Sequence, residues 1–204
     1  MEDQMFLDCF GCDVDYSLGK NFADFADQFS KDSRYRTELY KLRRKFMSHA
    51  DGLIHADLHT SNIMASRDKM KVIDMEFAFM GPFGYDLGYL VGNLISQYCA
   101  ACFKRFPSEQ SRKQFKAYLL ATIKSLIETY MKTFTLCWEK SVKERYRGQQ
   151  GLLQSILQEV MEDVPGYASM VNWFRSVSEI PYPDFDIIED KDAKRNATVL
   201  SLMI

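Results

Sequence analysis

The chain has 204 residues, 47% hydrophobic and 26% charged, with 26 Lys+Arg against 28 Asp+Glu and a formal net charge of −2. That length makes one ordinary domain or at most two small ones. So even a charge balance removes the broad attraction to phosphate backbones or anionic lipid, which excludes nucleic acid and membrane surfaces as leading partners.

In chain order, Met1-Glu2-Asp3-Gln4 lacks the basic start and apolar core of a signal peptide, so the expectation is an intracellular, cytoplasmic protein. Phe22, Phe25 and Phe29, then Leu39, Leu42 and Phe46, recur at helical spacing and predict two helices or one interrupted helix before residue 50. Ile63-Met64-Ala65 and Lys71-Val72-Ile73, separated by a polar turn at 66–69, predict a β-hairpin. A helix capped by Asp86 runs through Leu90, Val91, Leu94 and Ile95 until Pro107. It contains the longest uncharged run, Leu87 to Phe103, which is shorter than the roughly 20 apolar residues of a bilayer span and reads as a buried helix.

A long amphipathic segment from Phe115 to Trp138 should stop by Gly148. Leu152 to Val160 predicts a helix ended by Pro165-Gly166, and Tyr167 to Phe174 a separate one. Pro181 and Pro183 predict an extended passage, and the tail from about Lys191 a last helix. No repeat or low-complexity linker marks an internal boundary, so residues 1–204 read as a single domain.

Five cysteines occur as Cys9-x-x-Cys12, Cys99-x-x-Cys102 and a lone Cys137. The two pairs lie too far apart in sequence for a zinc ribbon, and Cys99 and Cys102 belong to an apolar helix, so structural thiols are expected.

All three histidines, His49, His55 and His59, fall within one short stretch, and the last two flank Asp57. A zinc site on His55 and His59 would need a helix and a glutamate directly after the first histidine, and neither is present. If 63–65 pairs with 71–73, Asn62 at the hairpin entrance lies opposite Asp74 at its exit, with Asp57 just upstream and Glu76 just downstream. Hard oxygen donors of this kind suit magnesium. Asp57, slightly removed from them, is placed to accept a proton from a hydroxyl. A base, an Asn ligand and an Asp ligand in that order are the parts of kinase-type phosphoryl transfer.

His55-x-Asp57-x-x-x-x-Asn62 followed by Ile73-Asp74 resembles the catalytic and metal loops of the aminoglycoside and choline kinase superfamily. Residues 54–60 and 72–88, with Gly92-Asn93-Leu94, are more closely similar to the S-methyl-5-thioribose kinase family of methionine salvage. The resemblance implies a mainly helical α+β fold, the C-terminal lobe of a protein-kinase-like enzyme, with catalytic and metal loops in 53–88. It implies ATP and Mg2+ as cofactors, Asp57 as catalytic and substrate-orienting residue, and Asn62 and Asp74 as metal ligands. Glu76 either holds the metal through water or stabilises the loop. His55 and Asp86 brace the catalytic loop, and His59 either lines the site or fills a polar loop. Gly88 and Gly92, at helical spacing, read as close packing rather than as a phosphate loop.

Two departures qualify this. The superfamily places a Gly-rich hairpin and a phosphate-binding lysine in an N-terminal lobe, whereas only 52 residues precede Leu53 and they read as helices. The expectation is a C-terminal lobe without its N-lobe, weak or inactive alone, with a separate N-lobe or a homodimer left open. The family's pair of adjacent arginines that reaches the sugar corresponds here to Phe174-Arg175, which makes Arg175 the candidate substrate contact, against the alternative of a surface arginine. Alternatives are a kinase for another small molecule, such as an amino alcohol or aminoglycoside, and a non-catalytic binding module.

Overall fold

The computed structural model describes residues 5, 6, 24, 25, 27, 28, 31–177 and 183–204. Phe22, Phe29, Cys9, Cys12 and Pro181 lie outside them. Helix α1 (Ser33–Ser48) begins at Asp32, whose carboxylate accepts hydrogen bonds from the Arg34 and Tyr35 amides at 2.8 and 3.1 Å. It buries Leu39 and Phe46, the helical spacing read from the sequence. Lys45, near its end, bridges to Glu159 and Asp163 and so ties the helix to a later one.

Four three-residue strands follow, in two antiparallel pairs. Strands β2 (Ile63–Ala65) and β3 (Met70–Val72) form the expected hairpin, closed by Ser66 N–H donating to Lys69 O at 2.7 Å. The register differs from expectation. Ile63 pairs with Val72 and Ala65 with Met70, so Asn62 faces Ile73, one residue short of Asp74. The cause is local: the ladder starts directly after the turn, at Met70 rather than Lys71, and Asp74 leaves it with φ of 65°. The second pair, β1 (Gly52–Ile54) with β4 (Phe79–Gly81), was not foreseen. It joins the two ends of the catalytic and metal segment.

Helix α2 (Gly84–Phe103) is the centre of the fold and is buried along most of its length, as the uncharged run predicts. It starts at Gly84, not at Asp86. The Asp86 carboxylate sits in the first turn and is spent elsewhere. Helix α3 (Glu109–Ser141) is capped by Ser108 Oγ, which accepts from Ser111 N–H.

Helix α4 (Gln150–Val177) runs unbroken through Pro165, contrary to the expected stop. Proline forfeits one helical hydrogen bond and costs about 3 kcal/mol, yet Val160, Val164, Tyr167 and Ala168 on both sides of it are buried against α2. The approach is close. A Cβ on Gly88 would stand 2.6 Å from Tyr167 Cβ, and one on Gly92 2.8 Å from Ala168 O. Packing of both turns on one helix outweighs the missing bond.

Helix α5 (Pro183–Asp186) begins with Pro183, since proline suits the first helical position, and the rest of the expected extended passage lies outside the described residues. Helix α6 (Lys191–Met203), capped by Asp190, closes the chain against α2. Cys99 is buried and its thiol is pushed up to about 12 by burial, the state of a structural cysteine. Among the described residues no helix is long and apolar enough to cross a membrane.

Candidate active site

The loop after β1 carries Asp57, and two features hold its backbone. Asp86 accepts from the His55 and Ala56 amides at 2.6 and 2.9 Å, the bracing expected of it. Ala56 lies between, at φ of 68°, a left-handed conformation that a non-glycine residue adopts only when its surroundings impose it. His55, 5% exposed, spans the site: Nε2–H donates to Ile73 O at 2.8 Å, while Nδ1 accepts from the Asp57 amide at 3.2 Å. One imidazole thereby joins the Asp57 loop to the strand end that leads to Asp74, and the two bonds fix its tautomer.

The Asp57 carboxylate is contacted on both oxygens. Oδ1 accepts from Tyr89 Oη at 2.7 Å and from Arg175 Nη2 at 3.2 Å, and the same Nη2 donates to Tyr89 Oη at 2.7 Å. Oδ2 lies 3.3 Å from His59 Nε2. Burial works to raise the Asp57 pKa, but the hydrogen bonds from His59 and Tyr89 and the charges of His59 and Arg175 prevail and hold it below the usual carboxylate range. Asp57 is therefore ionised at neutral pH. Burial raises the Tyr89 phenol well above its ordinary value, so it stays a protonated donor.

Arg175 is 9% exposed and its guanidinium lies over the rings of Tyr89 and Phe174, so the surface-arginine alternative fails. Its Nη2 donates to the Asp57 carboxylate and to the Tyr89 phenol.

Beyond His55 and Asp86, sequence reasoning missed how the loop is held. Asp86, Tyr89, Asn93 and Gln97 stand at i, i+3, i+7 and i+11 on α2, one face of a helix. Each meets the loop in order. Asp86 takes the amides of 55 and 56, Tyr89 the carboxylate of 57, Asn93 Oδ1 the Thr60 amide at 2.9 Å, and Gln97 Nε2 the Thr60 hydroxyl at 3.1 Å. The signal was present as a polar stripe on an otherwise apolar helix, with Tyr89 disguised as a core aromatic.

Asn62 is 6% exposed, in a short 3-10 turn at Thr60–Asn62. Its Nδ2 donates to Asp57 O at 3.1 Å, which commits the amide nitrogen to the protein and leaves the oxygen as the ligand-capable atom. Asp74 and Glu76 are exposed beyond the hairpin exit. Among the described residues no group of three His, Cys, Asp or Glu side chains could hold a metal ion alone. The donors present fit magnesium, which takes one or two carboxylates and completes its shell with water and phosphate oxygens.

A family profile described as the phosphotransferase enzyme family matches residues 14–126, more than half of the chain. The chain belongs to this family. Its matched part contains the catalytic loop, the hairpin, Asp74 and the polar stripe of α2. Curated relatives agree. A methylthioribose kinase of Geobacillus thermodenitrificans is 35% identical over 204 residues, covering 96% of this chain and 48% of the relative. One from Geobacillus sp. (strain WCH70) is 32% identical over 203 residues, covering all of this chain and 48% of the relative. One from Bacillus cereus is 29% identical over 203 residues, covering 49% of its own length. The chain spans about half the length of the relatives it matches. The fold is the helical, hairpin-bearing lobe of a kinase-like phosphotransferase.

Proposed function

We propose that this lobe serves ATP-dependent phosphorylation of the 1-hydroxyl of S-methyl-5-thioribose, the reaction of methionine salvage implied by its likeness to methylthioribose kinases. The observation that carries the reading is Asp57, an ionised carboxylate on a backbone-braced loop, 19% exposed and one turn ahead of Asn62. Asp57 orients the acceptor hydroxyl and takes its proton as the new phosphorus–oxygen bond forms. Asn62 and Asp74 would hold magnesium, and Glu76, two residues further on, would support either that ion or the loop itself. That ion, when bound, neutralises charge on the phosphate oxygens. His55 keeps the base and the metal ligand in register by bonding to both segments. Arg175 supplies positive charge beside the acceptor, from the position in which it also engages Asp57.

Phe174, in place of the first of two adjacent arginines, favours a second reading within the same chemistry: a different hydroxyl substrate, such as an amino alcohol or aminoglycoside. A substrate panel decides between them. The full-length protein, given ATP and magnesium, is expected to phosphorylate S-methyl-5-thioribose with the highest kcat/KM. A higher value for an amino alcohol or aminoglycoside would replace the assignment, and nucleotide binding without transfer to any acceptor would indicate a non-catalytic module. We further propose a cytoplasmic location, where ATP and a salvage substrate are available, and an N-lobe partner or continuation that covers the nucleotide.

A further inference from the structure

The phosphotransfer reading gives Asp57 a role and leaves Tyr89 without one. We infer that Tyr89 is a positioning residue for the reaction: with Arg175 it pins Asp57 Oδ1, so that Oδ2 is the oxygen presented to the acceptor hydroxyl. The inference rests on the phosphotransfer reading for its chemistry and on the geometry alone for the orientation.

The two oxygens of a free carboxylate exchange by rotation about the terminal torsion, which is broad. In this site they are unequal. Oδ1 receives the Tyr89 hydroxyl at 2.7 Å and Arg175 at 3.2 Å, and the 2.7 Å bond from Arg175 to Tyr89 Oη closes a ring of three mutual contacts. Tyr89 is 1% exposed, and a charge-assisted hydrogen bond shielded from water is among the strong ones. Among the described residues Oδ2 meets His59 alone, at 3.3 Å, and that imidazole is 19% exposed. A hydroxyl can share or displace the longer, wetter contact far more cheaply than the buried ring on the other side.

The helix makes the phenol a fixed reference. Tyr89 stands three residues after Asp86 on α2, and its ring is edge-on to Tyr85 with centroids 6.0 Å apart. Asp86 locates the backbone on the N-terminal side of Asp57 while Tyr89 locates its side chain, so a single turn of one helix sets both. The step balances simply. The acceptor O–H proton passes to Asp57 Oδ2, the acceptor oxygen bonds to the γ-phosphorus, and the bond from that phosphorus to the ADP oxygen breaks. Burial of the Tyr89 phenol keeps it protonated throughout, so it orients without itself taking the proton.

The test compares Tyr89→Phe with Tyr85→Phe in the full-length protein. Tyr85 is an equally buried phenol whose hydroxyl donates to Met5 Sδ rather than to Asp57. Tyr89→Phe is expected to lower kcat for S-methyl-5-thioribose roughly 10- to 100-fold, the scale of a misplaced reacting group. KM for both substrates should stay within about twofold, as for a loss confined to the transition state. Tyr85→Phe should keep wild-type kcat. A crystal structure of Tyr89→Phe is expected to show the Asp57 carboxylate rotated or split between two orientations. An unchanged kcat, or a rise in KM alone, would overturn the inference. Should the wild-type protein transfer phosphate to no acceptor, the phosphotransfer reading fails while the crystal structure still decides the orientation: an unmoved Asp57 carboxylate in Tyr89→Phe contradicts it.

Discussion

At Asp57, three groups from three parts of the chain set a single charge, and that charge leaves a signature in stability. Its folded pKa is depressed below the ordinary 3.8, despite burial, by His59, Tyr89 and Arg175. The stabilisation it contributes is therefore complete above that value and is lost as pH falls through the lower folded one. Urea unfolding of wild type and Asp57→Asn should give a constant difference from neutrality down to the ordinary carboxylate value, then a shrinking difference at lower pH. A difference that grows with acid would reverse the sign of the account. Asn62 and Asp74 make a second residue-scale prediction. Asp74→Ala should raise the magnesium concentration needed for half-maximal ATP binding, read by calorimetry across a magnesium series, because the hairpin exit then loses its carboxylate. Residues of this kind can be proposed from sequence because kinase-type chemistry asks for their types: an acid, an amide and an acid in fixed order. Tyr89 could not, because a tyrosine at helical spacing has the same sequence signature whether its hydroxyl is idle or bonded.

Elements were legible where the helical period was plain. The tail from about Lys191 gave α6, the amphipathic stripe gave α3, and Leu39 with Phe46 gave the buried face of α1. One failure comes from tertiary packing that overrides a local signal. Pro165 and Gly166 carry a strong local stop, but α4 continues because Val164, Tyr167 and Ala168 fit against Gly88 and Gly92 of α2. The hairpin register slipped by one because four polar residues fix a turn without fixing which flanking residue opens the ladder. Strands as short as β1 and β4 hold through pairing that no window of sequence displays. The helix contact supplies its own test. Gly88→Ala places a methyl 2.6 Å from Tyr167 Cβ and 2.9 Å from Val164 O, with backbone on one side unable to yield. It should lower unfolding free energy by about 1–3 kcal/mol despite the better helix propensity of alanine. Denaturant titration checks it, and a stabilised variant would mean that the helices do not approach so closely.

Across the molecule, exposed apolar side chains concentrate on the segment that carries the chemistry. Leu53, Met64, Met70, Met75, Phe77 and Met80 are each between 43% and 69% exposed, on or beside the four strands. The lobe thus presents this segment on an apolar face, and its relatives are about twice its length. Residues 1–204 assayed by themselves are expected to bind ATP–magnesium weakly and to transfer little phosphate, because base and metal ligands do not by themselves position a triphosphate, and positioning can supply several kcal/mol of the barrier. Efficient turnover by these residues alone would show that the lobe needs no further nucleotide cover. The central claim is that Asp57 is the base of a sugar kinase, and phosphorus NMR of the full-length protein with ATP, magnesium and S-methyl-5-thioribose tests it most directly. The account predicts a 1-phosphate ester resonance that grows with wild type and is about 100- to 10,000-fold slower with Asp57→Asn at unchanged ATP affinity. Wild-type rates from Asp57→Asn, or an equal loss of ATP binding, would contradict it.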